Sequence, residues 1–419
     1  MVYKPLFAKS IVKNQDLIHT WLKQQELSKE LPLYSSVDIR NSGFKMAVVD
    51  TNLFPAGFNN LCEHGIADSV GLMKQAVLKR VPNCQNILII AEEHTRNTWY
   101  LENIRILEEI IRKAGFNVKI ATFLTIQPGF CEDVNHVVLK TATGQEVNIY
   151  CFKNILNKFQ QNQEKFDLII MNNDLTTGIP DVLKNSQIPI YPSLMAGWHS
   201  RLKSHHFDHT RDVLKELGKL IDLDPWLLSC LHTTIADVDI NQEEDRVKIQ
   251  DLAADLLKKI AKKYQKHAIQ EKPYLVLKSD SGTYGMGVMT LEDPAEILHL
   301  NRKEKNKLHI GKGAQVIDRF LLQEGVPTIY TVKNRVSEVC MYQIENHLVG
   351  GFFRFHAEKT DRENLNSKGM GFKKICPRIE KYADCEVHPD LNTYNIYKIL
   401  ARIAGIAAHR EIVQLERIN

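Results

Sequence analysis

The chain has 419 residues, of which 44% are hydrophobic and 25% are charged. A single core rarely grows beyond roughly 250–300 residues, so this length predicts two or three domains, and the composition excludes a disordered chain. The 54 Lys and Arg against 50 Asp and Glu give a net charge of +4, which suits anionic small molecules and is too small to indicate a nucleic-acid partner.

The eight cysteines include no Cys-x-x-Cys pair, so the sequence indicates neither a zinc ribbon nor a dithiol redox centre. No apolar run reaches the roughly 20 residues of a membrane span, and the first residues lack the apolar core of a signal peptide. We therefore expect buried structural thiols in a cytoplasmic protein that has no membrane partner. The sequence leaves a homo-oligomer open.

Residues 86–123 predict a β-α-β unit. The continuous apolar run Asn86–Ala91 is typical of a strand buried on both faces, and 101–113 carries the apolar period of a helix. Gly115 stands where a helix C′ residue belongs, and 117–123 reads as a second, parallel strand. Further strands are predicted at 146–152, 166–171 and 188–192. Together they predict an open α/β sheet in the first half of the chain.

Polar residues directly follow three apolar stretches of this half, at 50–52, 92–97 and 172–174. In open α/β sheets ligands bind beyond the carboxyl ends of the strands, so these residues are expected to converge on one crevice. The alternative is that polar residues simply end buried strands. A crevice rich in carboxylates and amides, with Arg40, Lys45 and Arg96 nearby, suits a zwitterionic substrate.

The second half begins with a long predicted helix over 241–266, capped by Asn241, with Glu244 reaching back to the cap. The lysines of its latter half form either a solvated face or, less simply, a site for polyanions. Short strand-like segments follow from 273 to 355. A final amphipathic helix is predicted over about 392–415.

The sharpest local signal is a strand that ends at Lys278, followed by Gly282, Gly285 and Gly287 and by a second strand from Val288. Glycines let backbone N–H groups approach phosphate oxygens closely, and a lysine adds a point charge to them. No Gly-Lys-Ser/Thr and no helix follow, which excludes P-loop and dinucleotide folds, and in protein kinases the lysine comes after the loop. A lysine before a glycine hairpin is the ATP-grasp arrangement; an ordinary flexible hairpin is the alternative.

Two later features support a nucleotide site. An apolar strand ends in Gln323-Glu324-Gly325, and in ATP-grasp folds such a linker carries adenine on its backbone, with a nearby carboxylate for the ribose. A hairpin over 337–355, with its turn at 345–346, then precedes the pattern Arg362-x-Asn364. That pattern resembles the loop over the nucleotide phosphates in bacterial glutathione synthetase.

Four segments, 48–60, 93–97, 197–203 and 323–326, resemble the ATP-grasp-type glutamate–cysteine ligases of some proteobacteria. The resemblance implies an α/β, ATP-grasp-like fold, with an open α/β N-terminal domain followed by α+β nucleotide-binding domains. Residues 1–230 are expected to bind substrate, and residues 231–419 to bind nucleotide under a glycine-rich lid at about 273–291. The implied reaction joins glutamate and cysteine with ATP and Mg²⁺, the first step of glutathione synthesis.

The residues expected to act fall into groups. Catalytic residues that spread phosphoryl charge are Lys278, Arg354 and Arg362. The nucleotide is assigned to Lys278, Ser281, Gly282, Gly285, Gly287, Gln323, Glu324, Val326 and Asn364. Amino-acid substrates are assigned to Asp50, Asn52, Asn59, Asn60, Arg96 and Arg201. Metal ligands are assigned to Glu338, Asn364 and Asn366, which flank the second hairpin and the polar loop, because the Glu-x-Asn that usually ends ATP-grasp folds is missing here.

Two alternatives remain open at this point. One is another ATP-grasp carboxylate–amine ligase, for example a glutathione-synthetase-like enzyme. The other is a scaffold that binds ATP without chemistry, which the missing Glu-x-Asn allows. The histidines at 205, 206 and 209 have metal-ligand spacing but lack the Glu of a His-Glu-x-x-His site, so no zinc site is predicted there.

Overall fold

The computed structural model describes residues 6–27, 29–93, 96–123, 134–161, 163–282, 287–311, 316–378 and 389–418. Within these ranges the helices are α1 (Leu6–Lys13), α2 (Gln15–Glu26), α3 (Glu63–Arg80), α4 (Thr98–Lys113), α5 (Phe152–Gln160), α6 (Asp181–Lys184), α7 (Lys203–Ile221), α8 (Glu243–Lys266), α9 (Arg302–His309) and α10 (Leu391–Ile418). The strands are β1 (Tyr34–Asn41), β2 (Met46–Asn52), β3 (Asn86–Ala91), β4 (Asn117–Thr122), β5 (His136–Lys140), β6 (Glu146–Cys151), β7 (Leu168–Asn172), β8 (Ile190–Tyr191), β9 (His232–Ile235), β10 (Leu275–Ser279), β11 (Met289–Leu291), β12 (Phe320–Glu324), β13 (Tyr330–Val332), β14 (Arg335–Ile344), β15 (His347–His356) and β16 (Gly371–Ile375).

A mainly parallel sheet has the order β5-β6-β4-β3-β7-β8, with β5 antiparallel to β6 at one edge. β3 pairs in parallel with β4 and with β7 and is buried through the centre of the sheet. Helix α4 connects β3 to β4 and buries its apolar stripe, and Gly115 follows it with a φ of +100°. The predicted β-α-β unit is therefore confirmed, because the apolar run of β3 needs cover on both faces.

A second, four-stranded antiparallel sheet has the order β11-β10-β12-β9 and packs against α8. The two strands of the predicted glycine hairpin pair as expected, with Leu277 opposite Met289. Residues 283–286, which include Gly285, lie outside the described residues. The predicted cap of α8 is wrong: the helix begins after Gln242, and Asn241 instead donates its backbone and side-chain N–H groups to Asp239.

The third sheet has the order β16-β15-β14-β1-β2, and β13 also pairs with β14. Its strands pair antiparallel, and the predicted hairpin turn at 345–346 joins β14 to β15. The expectation that β2 belongs to the open α/β sheet is wrong. Only residues 42–45 separate β1 from β2, and such a short connection permits antiparallel pairing, whereas parallel strands need a long crossover.

The third sheet takes strands from both sides of residue 230: β1 and β2 precede this residue, and β14 to β16 follow it. Helix α10 covers this sheet and packs along α7, so both ends of the chain share one apolar core. The division into domains at residue 230 stays a prediction. Among the described helices, none has both the length and the apolar stretch needed to cross a bilayer.

Candidate active site

A cavity of about 960 Å³ opens where the three sheets meet. Its wall includes Asp50 from β2, Lys278 from β10, and Asn97 and Asp174 from the loops after β3 and β7. The three polar stretches therefore converge on one crevice as expected. They do so although β2 lies in a different sheet from β3 and β7, because the third sheet closes over the carboxyl ends of the parallel strands.

Most of the predicted site residues line this cavity. They are Asp50, Asn52, Asn59, Asn60, Lys278, Gly282, Gln323, Glu324, Val326, Glu338, Arg354, Arg362, Asn364 and Asn366. Ser281, Gly287, Arg96 and Arg201 are outside the wall, and Arg96 is exposed to solvent.

A cluster of opposite charges surrounds Lys278. Its Nζ donates to the backbone carbonyl of Val49 at 3.0 Å, and Lys203 Nζ donates to the Asp50 carboxylate at 2.6 Å. Burial opposes the charged form of Asp50, but Lys203, Lys278 and Arg201 outweigh it and hold the pKa of Asp50 well below its usual range. Burial lowers the pKa of Lys278 to about 8, which Asp50 partly opposes. Two lysines thus face the cavity beside a carboxylate that stays ionised.

Buried carboxylates and guanidiniums alternate on the neighbouring face of the third sheet. Glu338 accepts from Arg40 Nε at 2.8 Å and from Arg354 Nη1 at 2.8 Å, and Arg354 Nη1 also donates to Asp38 at 3.0 Å. Burial opposes ionisation of Glu338, yet Arg40 and Arg354 lower its pKa. Burial raises the pKa of Asp38, with Arg354 opposing and Glu338 and Asp50 adding to the rise. Arg40 and Arg354 therefore balance the charge of Glu338, whereas burial disfavours ionisation of Asp38 in spite of its contact with Arg354.

The base of the glycine hairpin is anchored to the first turn of α7. Asp280 is fully buried, and its carboxylate accepts from the backbone N–H and the hydroxyl of Ser204, at 2.8 and 2.7 Å. A Cβ at Gly282 would lie 1.9 Å from the Trp198 indole, so only glycine lets the backbone pass here. At the other end of the hairpin, directly after β11, Glu292 accepts from Arg362 at 3.0 Å, which brings the polar loop against the hairpin.

The carboxylate expected to hold the ribose is part of the core. Glu324 accepts from Lys45 Nζ at 2.9 Å, from Trp226 Nε1 at 3.0 Å and from the Leu231 amide at 2.9 Å. Both side chains of the Lys45–Glu324 ion pair are 0% exposed. Glu324 borders the cavity with its carboxylate already bound by three internal donors, and its contact with a ribose stays a prediction.

Arg201 also has a structural partner in place of a substrate. Its Nε donates to Glu411 of α10 at 2.9 Å, its Nη1 donates to the Thr51 carbonyl at 2.9 Å, and the residue is 1% exposed. His206 contacts the other oxygen of Glu411 at 3.0 Å. This buried cluster joins α7 to the last helix, so the expected role of Arg201 in binding a substrate carboxylate is wrong.

Several wall residues have no role assigned from the sequence, although Arg40 is expected near the crevice. Ser36, Asp38 and Arg40 of β1 all line the cavity at every second position, which is the alternation of one strand face. The alternation of polar residues can be seen in the sequence. It does not indicate a site until β1 is known to pair with β14. Lys203 and Trp198 lie within residues 197–203, one of the segments that resemble the ligase family. No recognised motif marks either residue as part of a site.

The sequence model of the glutamate–cysteine ligase family matches residues 8–412, nearly the whole chain. The chain belongs to the glutamate–cysteine ligase family. The ligase is also similar to a solved protein of Methylobacillus flagellatus KT described as a "putative gamma-glutamylcysteine synthetase". The two are 35% identical, with a TM-score of 0.84 over 99% of this chain and 98% of that one.

A D-alanyl-alanine synthetase A from Vibrio cholerae O1 is a much more distant structural match, with 12% identity, a TM-score of 0.34 and coverage of 76% and 80%. A score this low supports no comparison of folds. No curated protein matches the ligase. Family membership makes this protein an enzyme that joins two small molecules, and the family implies that catalysis depends on ATP.

Replacing Gly282 by Ala should lower kcat/KM for ATP in the glutamate–cysteine ligase at least tenfold, because the added methyl group forces the hairpin away from Trp198. Steady-state kinetics with ATP varied provides the measurement. Gly71→Ala is the matched control, since a Cβ there meets nothing within 4 Å in the middle of α3. The control should keep full activity and gain up to about 1 kcal/mol of stability. Equal kinetics for the two variants would contradict the tight contact.

Replacing Arg201 by Met should reduce the free energy of unfolding by about 3–5 kcal/mol, because Glu411 is left buried beside an uncharged chain. Denaturant unfolding followed by circular dichroism gives this value. Arg201→Met combined with Glu411→Met should recover part of the loss. A variant of normal stability whose KM for an amino-acid substrate rises sharply would restore the substrate-binding role.

Proposed function

We propose that this ligase forms γ-glutamylcysteine from glutamate, cysteine and ATP at an ATP-grasp-type nucleotide site. The observation that carries the proposal is the junction of Lys278, the glycine hairpin and the polar loop on one cavity wall, in a chain of the glutamate–cysteine ligase family. The cavity of about 960 Å³ is at the upper end of the range for small-molecule sites. It therefore has room for a nucleotide and two amino acids side by side.

The triphosphate is proposed to lie between Lys278, Gly282 and Arg362. Lys278 lies near the end of β10, before the hairpin, and Arg362 pairs with Glu292 directly after β11, so cations approach the same space from two sides. Gln323 and Val326 line the cavity beside them, and adenine is proposed to lie against this linker. Phosphoryl transfer depends mainly on such positioning and charge neutralisation, without a protein nucleophile.

In the proposed reaction the side-chain carboxylate of glutamate attacks the γ-phosphorus of ATP. The bond from that phosphorus to the bridging oxygen breaks, ADP leaves, and a γ-glutamyl phosphate remains. The neutral amine of cysteine then attacks the acyl carbon, phosphate departs with the bonding pair, and the nitrogen loses a proton to give the amide. The lysine and arginine side chains stabilise the phosphoryl charge, and a closed hairpin excludes water that would hydrolyse the acyl phosphate.

Amino-acid recognition is proposed for the wall formed by Asp50, Asn52, Asn59 and Asn60. The Asn59 Oδ1 atom is buried and has no hydrogen-bond partner among the described residues, so it offers an acceptor to a substrate ammonium group. The buried Nε of Arg354 likewise lacks a partner there and offers a donor to a carboxylate. The two atoms match the opposite charges of an amino acid.

Magnesium fits the same cavity through oxygen ligands. Asp38 and Glu338 lie on adjacent strands, and both carboxylates line the cavity. Asn364 Oδ1 accepts from the Asn366 amide at 3.0 Å and so orders the polar loop. We assign Asp38 and Glu338 as the residues that would hold the ion, with Asn364 and Asn366 shaping the loop beside it. Magnesium bound there supplies charge neutralisation for the phosphate oxygens.

The closest competing function is another carboxylate–amine ligase with a different acceptor, since the wall residues do not single out a thiol. A non-catalytic scaffold is disfavoured, because family membership marks the chain as an enzyme.

Incubation of the purified enzyme with ATP, Mg²⁺, glutamate and cysteine should yield γ-glutamylcysteine and one ADP per product, identified by mass spectrometry. Replacing cysteine by serine, alanine or glycine should lower ADP release at least tenfold. Supplying γ-glutamylcysteine and glycine in place of glutamate and cysteine should give no ADP release. Turnover with only that last pair would instead identify a glutathione-synthetase-like enzyme.

Lys278→Met should lower kcat about a hundredfold or more while the fold is retained, because phosphoryl charge loses its nearest cation. Lys258→Met is the matched control, since Lys258 is 74% exposed and pairs with Asp255 three residues before it. Circular dichroism should show both variants folded. Near-normal turnover by Lys278→Met would remove this residue from the mechanism.

The rate should also fall at alkaline pH because of Lys278. Its pKa of about 8 means that the side chain is cationic below pH 8 and neutral above it, so kcat/KM for ATP should decline with an apparent pKa near 8. Lys278→Arg should keep the positive charge and shift the decline of kcat/KM to higher pH, even if its absolute rate is lower. A wild-type profile that stays flat from pH 7 to 9.5 would contradict the assignment.

A further inference from the structure

Three potential metal ligands meet outside the cavity, at the start of α3. Cys62, His64 and Cys376 each offer one ligand atom, and these atoms all lie within 4.8 Å of one another. The sulfur of Cys376 is 3.8 Å from His64 Nδ1. None of the three belongs to the cavity wall, so this thiolate–imidazole cluster is separate from the proposed nucleotide site.

The cluster joins segments that are far apart in the chain and that are held together by other contacts. Cys62 caps α3, and its sulfur accepts from the Gly65 amide at 3.4 Å. A Cβ at Gly65 would lie 2.3 Å from the Val349 carbonyl, so the helix start is pressed against β15. Arg378, two residues after Cys376, pairs with Asp68 one turn further along α3. The two thiols are therefore positioned by the fold and do not meet by chance on a loop.

The spacing of the ligand atoms matches a bound transition metal with little adjustment. Two sulfur ligands of a tetrahedral zinc ion lie about 3.8 Å apart, given Zn–S bonds of about 2.3 Å. Cys62 and Cys376 are buried thiols, and neither is part of a disulfide. Two thiolates and one imidazole form a donor set known in zinc sites, in which water completes the fourth position.

We propose that Cys62, His64 and Cys376 bind one zinc ion. Sulfur and imidazole ligands select zinc over magnesium, which prefers oxygen. The ion would tie the segment Phe58–Asn60, which carries two wall asparagines, to β16, which also lines the cavity. Zinc therefore acts as a structural clamp beside the active site and takes no part in the chemistry there.

Zinc and cobalt binding to the full-length enzyme tests the proposal. The reduced, chelator-stripped wild-type protein should take up one Zn²⁺ per chain, measured by elemental mass spectrometry after gel filtration. Titration with Co²⁺ alone should produce the near-ultraviolet absorption of thiolate-to-cobalt charge transfer. Saturating Zn²⁺ should raise the midpoint of thermal unfolding, because it binds only the folded state.

Three variants and a control separate this site from adventitious binding. Cys62→Ser and Cys376→Ser should each weaken Zn²⁺ binding more than tenfold and remove part of the cobalt absorption. His64→Gln should weaken Zn²⁺ binding while the thiolate absorption is kept, and this partly exposed residue serves if a cysteine variant does not fold. Cys84→Ser alters a buried thiol outside the cluster and should bind one Zn²⁺ as before.

The proposal fails if reduced wild-type protein retains no zinc and shows no cobalt–thiolate absorption. It also fails if Cys62→Ser and Cys376→Ser keep stoichiometric zinc, or if the two sulfurs form a disulfide in protein that still binds zinc normally.

Discussion

The buried charges shared by β1, β14 and β15 are the interaction on which the cavity depends. Asp38 and Glu338 sit on adjacent strands among Arg40 and Arg354; Asp38 is partly exposed and the other three are buried. Burying a charge without a partner is costly, so these four groups are held in place by each other. An apolar replacement would pack as well and would leave the cavity without charge. The arrangement is therefore better explained by the ligand than by stability.

The third sheet, which carries these charges, also helps to close the cavity. Parallel strands β3 and β7 end in polar loops, as open α/β sheets do, but alone they would present a shallow crevice. The third sheet and the glycine hairpin of the second sheet cover that crevice from two further sides. Three sheets with different connectivity therefore supply one wall each, and no sheet contains the site by itself.

Local patterns predicted the local structure well. The apolar run of β3, the period of α4 and the glycine after it gave a β-α-β unit with the observed parallel pairing. The strands on either side of the glycine hairpin and the turn between β14 and β15 were equally legible, because short-range turn chemistry determines them. Most of the predicted site residues also line the cavity.

Contacts between residues far apart in the chain could not be predicted from the sequence. Arg201 and Glu324 are polar residues in the right neighbourhood, and nothing local shows that Glu411 and Lys45 neutralise them in the core. Asp38 was overlooked for the same reason, since its meaning comes from Glu338 and Arg354 on strands far away in the chain. A motif identifies the type of a side chain, whereas its partner decides whether that side chain is available to a ligand.

The pairing of β1 with β14 also has a consequence for how the protein is made. These partners are separated by about three hundred residues, a span that a ribosome needs roughly 15–60 s to translate at about 5–20 residues per second. Throughout that interval the emerging β1–β2 hairpin carries ionisable groups whose counterions do not yet exist, and one of its edges has no neighbour. Non-local pairing of this kind slows folding. The nascent chain therefore has its greatest need of a chaperone before the last strands emerge.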